Sequence, residues 1–164
     1  MPGGFDDLIA ANRVFADEFD FGGFDGVAHA GVAIVTCMDS RIVPLLMLGL
    51  QPGDAKILRN PGGRVTPAAL EALVLGVHLL GVERVLVIPH IRCAVALNNE
   101  RELQRLVSES AGKDATGQPF LVADQLKGLM EDVVRVRSHP LIPESVAVGG
   151  FIYDVDTGLI DQRF

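Results

Sequence analysis

The amino-acid sequence predicts an α/β fold with a mainly parallel, four- to five-stranded sheet flanked by helices. Three short apolar runs rich in Val and Ile are each too short for a typical helix and indicate strands. Helical segments separate these runs, and a β-α-β-α-β order implies parallel strands joined by right-handed crossovers. The 164 residues contain no repeat or linker, so one domain is expected over residues 1–164.

The first predicted element is an amphipathic helix over about residues 5–19. Asp6 and Asp7 fall in its first turn, where the helix dipole favours negative charge. Apolar residues recur at helical spacing through the segment: Phe5, Leu8, Ile9, Phe15 and Phe19. The sequence Phe21-Gly-Gly-Phe24 then ends the helix.

The next elements alternate between strand and helix. The predicted strands are Val32–Thr36, Lys56–Arg59 and Arg84–Pro89, and the helices between them are Ile42–Leu48 and Pro67–Leu80. In Pro67–Leu80 only Glu71 and His78 are polar. A helix that is apolar almost all round must be covered on both sides, so we expect the sheet to cover one side and a second subunit the other.

The last third of the chain predicts one helix and two strands. The helix spans about Val122–Arg137 and ends before the sequence Ser138-His139-Pro140. A fourth strand, Val146–Tyr153, follows it. The turn Asp154–Gly158 then leads into a short final strand, which we expect at an edge of the sheet.

Composition and charge exclude several classes of protein. Hydrophobic residues make up 49% of the chain, yet the longest apolar stretch, Ala72–Val82, is interrupted by His78 and is shorter than the ~20 residues of a membrane span. We therefore expect no membrane partner, and assign the excess apolar surface to a subunit interface. The net charge of −7, with no basic cluster, argues against nucleic acid and favours a small substrate.

Cysteine usage predicts the compartment. The chain has 2 cysteines, and its acidic opening lacks the basic region of a secretory signal. We therefore expect the reducing cytoplasm, where disulfides are uncommon. Two thiols without a disulfide need another explanation.

A metal site explains both thiols. Cys37 ends the first predicted strand and His90 the third, so both lie where open α/β sheets bind their ligands. Cys93 follows His90 by three residues, a spacing that places both side chains on one side of a turn. Two cysteines and one histidine suit Zn²⁺, and three protein ligands leave a position open, as in catalytic zinc sites.

Asp39 and Arg41 continue the alternation that begins at Cys37. On extended backbone, residues two apart point the same way, which brings Asp39 within reach of the open metal position. A carboxylate beside a metal needs a partner, and the Arg41 guanidinium can bind it with two hydrogen bonds. Cys37, Asp39 and Arg41 are thus interpreted as metal ligand, orienting carboxylate and clamp. A simple loop salt bridge remains the alternative for the last two.

Three motifs together resemble the β-class carbonic anhydrases: Cys37-Met-Asp-Ser-Arg41, Arg59-Asn-Pro-Gly-Gly63 and His90-x-x-Cys93. The resemblance extends over Val32–Val95 and returns in the segments 139–143 and 150–154. It implies a sheet in strand order 2-1-3-4, one Zn²⁺ per chain on Cys37, His90 and Cys93, and an Asp39–Arg41 dyad that serves the water on the metal.

The resemblance also implies an activity and an assembly. The activity is the reversible hydration of carbon dioxide to bicarbonate and a proton, without an organic cofactor. The assembly is a homodimer or a dimer of dimers, in which the helix at about 5–19 packs on a partner subunit.

Two residues depart from the motif of the family. Ile91 and Ala94 stand where the family usually has Thr and Gly, so the surroundings of the metal ligands change while the ligands do not. Two alternatives to carbon dioxide hydration therefore stay open. One is a carbonyl sulfide or carbon disulfide hydrolase on the same scaffold, and the other is a non-catalytic zinc-binding homologue in which Asp39 caps the metal.

Overall fold

The computed structural model describes residues 4–120 and 124–164. Five strands form one sheet in the order β2-β1-β3-β4-β5. The first four strands run parallel, and β5 is antiparallel to β4 at the edge. The predicted fold class, strand order and short final edge strand are confirmed. The strand bounds are β1 Val32–Cys37, β2 Ala55–Asn60, β3 Arg84–Ile88, β4 Ala147–Tyr153 and β5 Ile160–Gln162.

Strand β1 lies in the middle of the sheet, and all six of its residues are buried. Its residues alternate between two apolar clusters. Ala33 and Val35 pack on one side with Leu73 and Leu129, whereas Ile34 belongs to the cluster that also contains the two cysteines. Burial on both sides explains why the strand is a continuous apolar run rather than an alternating one.

The helices are α1 Asp6–Asp17, α2 Pro44–Met47, α3 Pro67–Leu79, α4 Glu100–Ala111 and α5 Gln125–Arg137, with a 3₁₀ turn at Pro61–Gly63. Helix α2 begins two residues later than the predicted Ile42. The reason is Pro44, because a residue before proline disfavours the helical region, and Val43 is extended with φ −116° and ψ 90°. The predicted start of the last helix, Val122, lies outside the described residues.

Helix α4 lies in a segment for which the sequence analysis predicts no element. Its signals are local. The Asn99 side chain accepts a hydrogen bond from Glu102 N at 2.9 Å, and Gly112 ends the helix in the left-handed region at φ 62°. No residue of α4 is fully buried, so the helix contributes little to the core that the apolar pattern detects.

Helices α3 and α5 have N-caps of the expected kind. The Thr66 hydroxyl accepts from Ala69 N at 3.2 Å, and the Asp124 carboxylate accepts from Lys127 N at 2.9 Å. Helix α1 has no side-chain hydrogen bond at its N-cap, Phe5, and none of its residues is buried. Within the described residues, no helix has the length and apolar character needed to cross a membrane.

Candidate metal centre

Cys37, His90 and Cys93 converge at the carboxyl ends of β1 and β3. One ligand atom from each lies within 4.8 Å of the others, and all three residues are buried. The two Sγ atoms are 3.9 Å apart. A disulfide would bring them to about 2 Å, whereas two thiolates about 2.3 Å from a tetrahedral zinc lie roughly 3.8 Å apart. The spacing therefore fits two ligands of one metal ion, and the three residues predicted as a set do lie together.

The His90 ring is oriented for ligation through Nε2. Its Nδ1 lies 2.9 Å from the Ile91 carbonyl oxygen, which fixes the tautomer with the proton on Nδ1. Nε2 then carries a lone pair, and it is the one buried side-chain nitrogen or oxygen in residues 4–120 and 124–164 without a hydrogen-bond partner. Such an atom is costly to bury unless something binds it, and a metal ion would. Burial also lowers the pKa of His90, which favours the neutral ring that ligation requires.

Opposing effects act on the pKa of the Cys37 thiol. Burial raises its pKa, and the nearby Cys93 adds to the rise, while hydrogen bonds from the backbone N–H groups of Asp39 and Gly62 act in the opposite direction. A bound cation would remove the main obstacle to the thiolate form by neutralising the buried charge. The donor set therefore fits a soft or borderline divalent metal.

The end of β2 and the loop after it contact the segment that contains Cys37. Gly63 has φ 67°, and a Cβ placed on it would come within 2.9 Å of Cys37 N. The Arg59 guanidinium donates to Cys37 O at 3.0 Å and to Asp39 O at 2.6 Å. Both residues belong to the Arg59-Asn-Pro-Gly-Gly63 motif, but its spacing alone did not indicate what they contact. Gly63 is thus a position at which a side chain would collide with the backbone of Cys37.

Asp39 and Arg41 form a bidentate ion pair beside the three clustered residues. Arg41 Nε donates to Asp39 Oδ1 at 2.9 Å, and Nη2 donates to Oδ2 at 2.8 Å. These hydrogen bonds hold the pKa of Asp39 well below its usual range, so the carboxylate stays ionised. Asp39 Oδ2 also lies 3.7 Å from His90 Nε2. The pair is therefore adjacent to the place that a metal ion would take.

Known proteins match this arrangement over almost the whole chain. A family model described as carbonic anhydrase matches residues 32–160. A carbonic anhydrase from Streptococcus mutans with a known crystal structure is 36% identical in sequence to this chain. The two structures superpose with a TM-score of 0.88 over 99% of both chains. β-Carbonic anhydrase 1 of Mycobacterium tuberculosis (strain H37Rv) is 27% identical over 157 residues, which are 96% of each chain.

The chain belongs to the β-class carbonic anhydrase family. Its enzyme class is carbonate dehydratase. A second group of relatives consists of carbon disulfide hydrolases. The carbon disulfide hydrolase of Acidianus sp. (strain A1-3) is 29% identical over 149 residues, which are 76% of this chain and 72% of the relative.

The two departures from the family motif have different surroundings in this β-carbonic anhydrase. Ile91 is half-buried, and its backbone N–H donates to Tyr153 O at 3.0 Å while its carbonyl accepts from His90. Ala94 is exposed, and its carbonyl accepts from Asn98 at 2.7 Å. The backbone of Ile91 therefore orients the His90 ring, and this contact does not depend on the side chain at position 91.

Three contacts around the site could not be read from the sequence. Gln125, at the start of α5, donates a side-chain hydrogen bond to His90 O. Arg92 lies between His90 and Cys93, and its carbonyl accepts from Arg41 Nη2 at 3.2 Å. The Thr36 hydroxyl ties β1 to β3 by donating to Ile88 O at 2.6 Å. Each links segments far apart in the chain, and no local pattern marks them.

Proposed function

We propose that the protein binds one Zn²⁺ per chain through Cys37, His90 and Cys93 and hydrates carbon dioxide to bicarbonate. The observation that carries the proposal is the unsatisfied, buried Nε2 of His90, which faces two thiols spaced for one tetrahedral metal. A zinc ion in such a site would supply the nucleophile by lowering the pKa of a water molecule.

The chain's own residues have separate roles in this proposal. Asp39 is the catalytic hydrogen-bond acceptor that orients the attacking water, because its ionised carboxylate has acceptors only. Arg41 holds both carboxylate oxygens, and so keeps Asp39 from turning onto the metal. His90 contributes a neutral ring whose second nitrogen is fixed by Ile91 O.

An apolar cavity of about 450 Å³ adjoins the segment that contains Cys37, because Met38, the next residue, and Asn60, the strand partner of Cys37, both line it. None of the three clustered residues lines the cavity itself. Most of its other lining side chains are apolar, among them Pro61, Val95, Leu103 and Phe120. Carbon dioxide is a linear molecule without a dipole, and an apolar wall beside the site suits it. An apolar wall also suits carbonyl sulfide and carbon disulfide, since both are linear and uncharged like carbon dioxide.

Carbon disulfide or carbonyl sulfide hydrolysis is the second candidate function. It is supported by the carbon disulfide hydrolase relatives and by Ile91, which adds apolar surface where the family usually has Thr. A non-catalytic zinc protein, in which Asp39 caps the metal, is the third candidate. The closed Asp39–Arg41 pair favours catalysis over that possibility, because it directs the carboxylate toward Arg41.

Assays of the zinc-loaded and the zinc-free protein on all three substrates test the proposal. We expect carbon dioxide hydration from the zinc-loaded protein, at a rate above that for carbonyl sulfide or carbon disulfide, and none from the zinc-free protein. Turnover of a sulfur substrate alone would favour the second candidate. Bound zinc without turnover of any substrate would favour the third.

We further propose a homodimer or a dimer of dimers in which α1 packs on a partner subunit. Six large apolar side chains of residues 5–19 are at least 49% exposed, and Leu75 and Leu79 of α3 are exposed as well. Apolar surface of this extent is typical of an interface. We also propose the cytoplasm as the location, because a metal site built on two thiols suits a reducing compartment.

A further inference from the structure

We propose that Arg92 and Asp156 are positioning residues that hold Arg41 in its pair with Asp39. The inference rests on the proposed function, because Asp39 and Arg41 matter only if the site is catalytic. Arg92 lies between His90 and Cys93 in the chain, yet neither its carbonyl nor its guanidinium hydrogen-bonds to those two residues. Both instead connect the Asp39–Arg41 pair to the turn between β4 and β5.

The backbone of Arg92 carries the first part of the connection. Among the described residues, Arg92 is the one non-glycine with a positive φ, at 54°. That region is unfavourable for residues with a side chain, and strain of this kind concentrates at functional sites. In this conformation the Arg92 carbonyl accepts a hydrogen bond from Arg41 Nη2 at 3.2 Å. The same Nη2 atom donates to Asp39 Oδ2, so the strained carbonyl helps to fix the donor that orients the carboxylate.

The side chain of Arg92 carries the second part. Its Nη1 atom lies 2.8 Å from both carboxylate oxygens of Asp156. Asp156 is itself held in the β4–β5 turn, where its N–H donates to Asp154 Oδ1 at 2.8 Å. Thr157 N donates to the same Oδ1 atom at 3.2 Å. The ordered turn thus anchors the loop that presents the Arg92 carbonyl, and the anchor reaches Asp39 through Arg41.

The exposure of the anchor limits its expected effect. The Arg92 and Asp156 side chains are 60% and 50% exposed. An exposed ion pair changes an equilibrium by about two- to fivefold at most. We therefore expect the Arg92–Asp156 pair to tune the position of Arg41 and not to decide whether the site forms. A variant should lose part of the turnover while keeping its fold and its metal.

The variants Asp156→Asn and Arg92→Asn remove the anchor in two ways. The first leaves the strained backbone untouched, and the second keeps a residue type that tolerates positive φ. Asp161→Asn is the matched control, because Asp161 forms an exposed pair with Arg163 at 2.9 Å in the same hairpin, and neither residue of that pair hydrogen-bonds to Arg41 or Arg92.

Nuclear magnetic resonance of ¹⁵N-labelled, zinc-loaded protein measures the Arg41 Nε–H group directly, with its signal assigned by loss in Arg41→Lys. We expect this proton to exchange with water about two- to fivefold faster in Asp156→Asn and Arg92→Asn. The kcat for carbon dioxide hydration should fall by a similar factor, with KM and zinc content unchanged. Asp161→Asn should match the wild type in every measurement.

Unchanged Arg41 Nε–H exchange in both variants would overturn the inference, and so would an equal change in Asp161→Asn. Faster exchange with an undiminished kcat would also overturn it, because Arg92 would then hold Arg41 without serving the reaction. If the wild type binds zinc but does not hydrate carbon dioxide, the proposed function fails, while the exchange measurement still decides whether the anchor holds Arg41.

Discussion

The loops after β1 and β3, which contain the candidate metal ligands, differ from helix α1 in the kind of group that each leaves without a partner. In the loops after β1 and β3, the His90 Nε2 atom is the one buried side-chain nitrogen or oxygen without a hydrogen-bond partner. Helix α1 has the reverse character, with six exposed apolar side chains over residues 5–19 and no buried residue. We propose that a metal ion binds in the first region and that an apolar surface of a partner subunit covers the second.

The largest expected effect comes from removing a ligand in the first region. Cys37→Ser, Cys93→Ser and His90→Gln should each abolish binding of zinc and all turnover, because two remaining ligands cannot complete a catalytic zinc site. Elemental analysis should find about one zinc per wild-type chain. The matched control is His29→Gln, since His29 is exposed and outside the cluster. Full zinc content in the cysteine variants would contradict the assignment of the ligands.

The second effect concerns a buried ion pair between Asp132 of α5 and Arg64, the residue after Gly63. Asp132 is fully buried and accepts from Arg64 at 2.5 Å, from Arg135 at 2.8 Å and from Val65 N at 3.0 Å. Asp132→Ala leaves the buried Arg64 without its partner, and should lower the free energy of unfolding by about 3–5 kcal/mol.

Urea denaturation measures this change, with Glu102→Gln as the control. Glu102 pairs with Arg105 on the surface, so the control should unfold like the wild type. Equal stability of Asp132→Ala and the control would show that the buried network does not stabilise the fold.

The third effect separates backbone strain from close packing. Gly49 and Gly63 have nearly the same positive φ, 66° and 67°, but no atom lies near a Cβ placed on Gly49. Gly49→Ala should cost about 1–2 kcal/mol of stability from the left-handed conformation alone. Gly63→Ala should cost a further 1–3 kcal/mol or so, because its methyl group would press on Cys37 N. Weaker zinc binding should accompany that loss in Gly63→Ala only, and equal behaviour of the two variants would refute the close-packing role.

The smallest effect on the stability of the chain is expected in α1. The double substitution Leu8→Ser and Phe15→Ser should change the unfolding free energy of the isolated chain by no more than about 0.5 kcal/mol, since both side chains are exposed. It should nevertheless convert the oligomer to a monomer in light scattering. Leu159→Ser replaces a leucine that is 70% exposed far along the chain, and should leave the oligomer intact. A stable monomer in the wild type would contradict the role of α1.

The sequence predicted the features whose signals are local. Runs of Val and Ile marked the parallel strands, and the spacing of Cys37, His90 and Cys93 after strand ends predicted that they would meet. The proximity of Asp39 and Arg41 followed from their two-residue offset. Helix α4 also had local signals, in Asn99 and Gly112. It has no buried residue, however, and helices are recognised in a sequence mainly by the apolar face that they bury.

The features that escaped prediction depend on contacts between distant segments. Asp132 reaches Arg64 across 68 residues, and Arg92 reaches Asp156 across 64. The left-handed backbone of Arg92 has no sequence signature either, because arginine is not typical of that conformation. Such contacts are set by how the loops pack at the sheet edge, and they become visible only in three dimensions.

We propose that a zinc ion on Cys37, His90 and Cys93 and the Asp39–Arg41 dyad together hydrate carbon dioxide. The test is stopped-flow measurement of this reaction by Asp39→Asn, with zinc content determined on the same sample. We expect full zinc content and loss of most turnover, because an amide cannot replace a carboxylate as acceptor and partner of Arg41. Undiminished turnover in Asp39→Asn would show that the Asp39–Arg41 pair is only structural and takes no part in hydration.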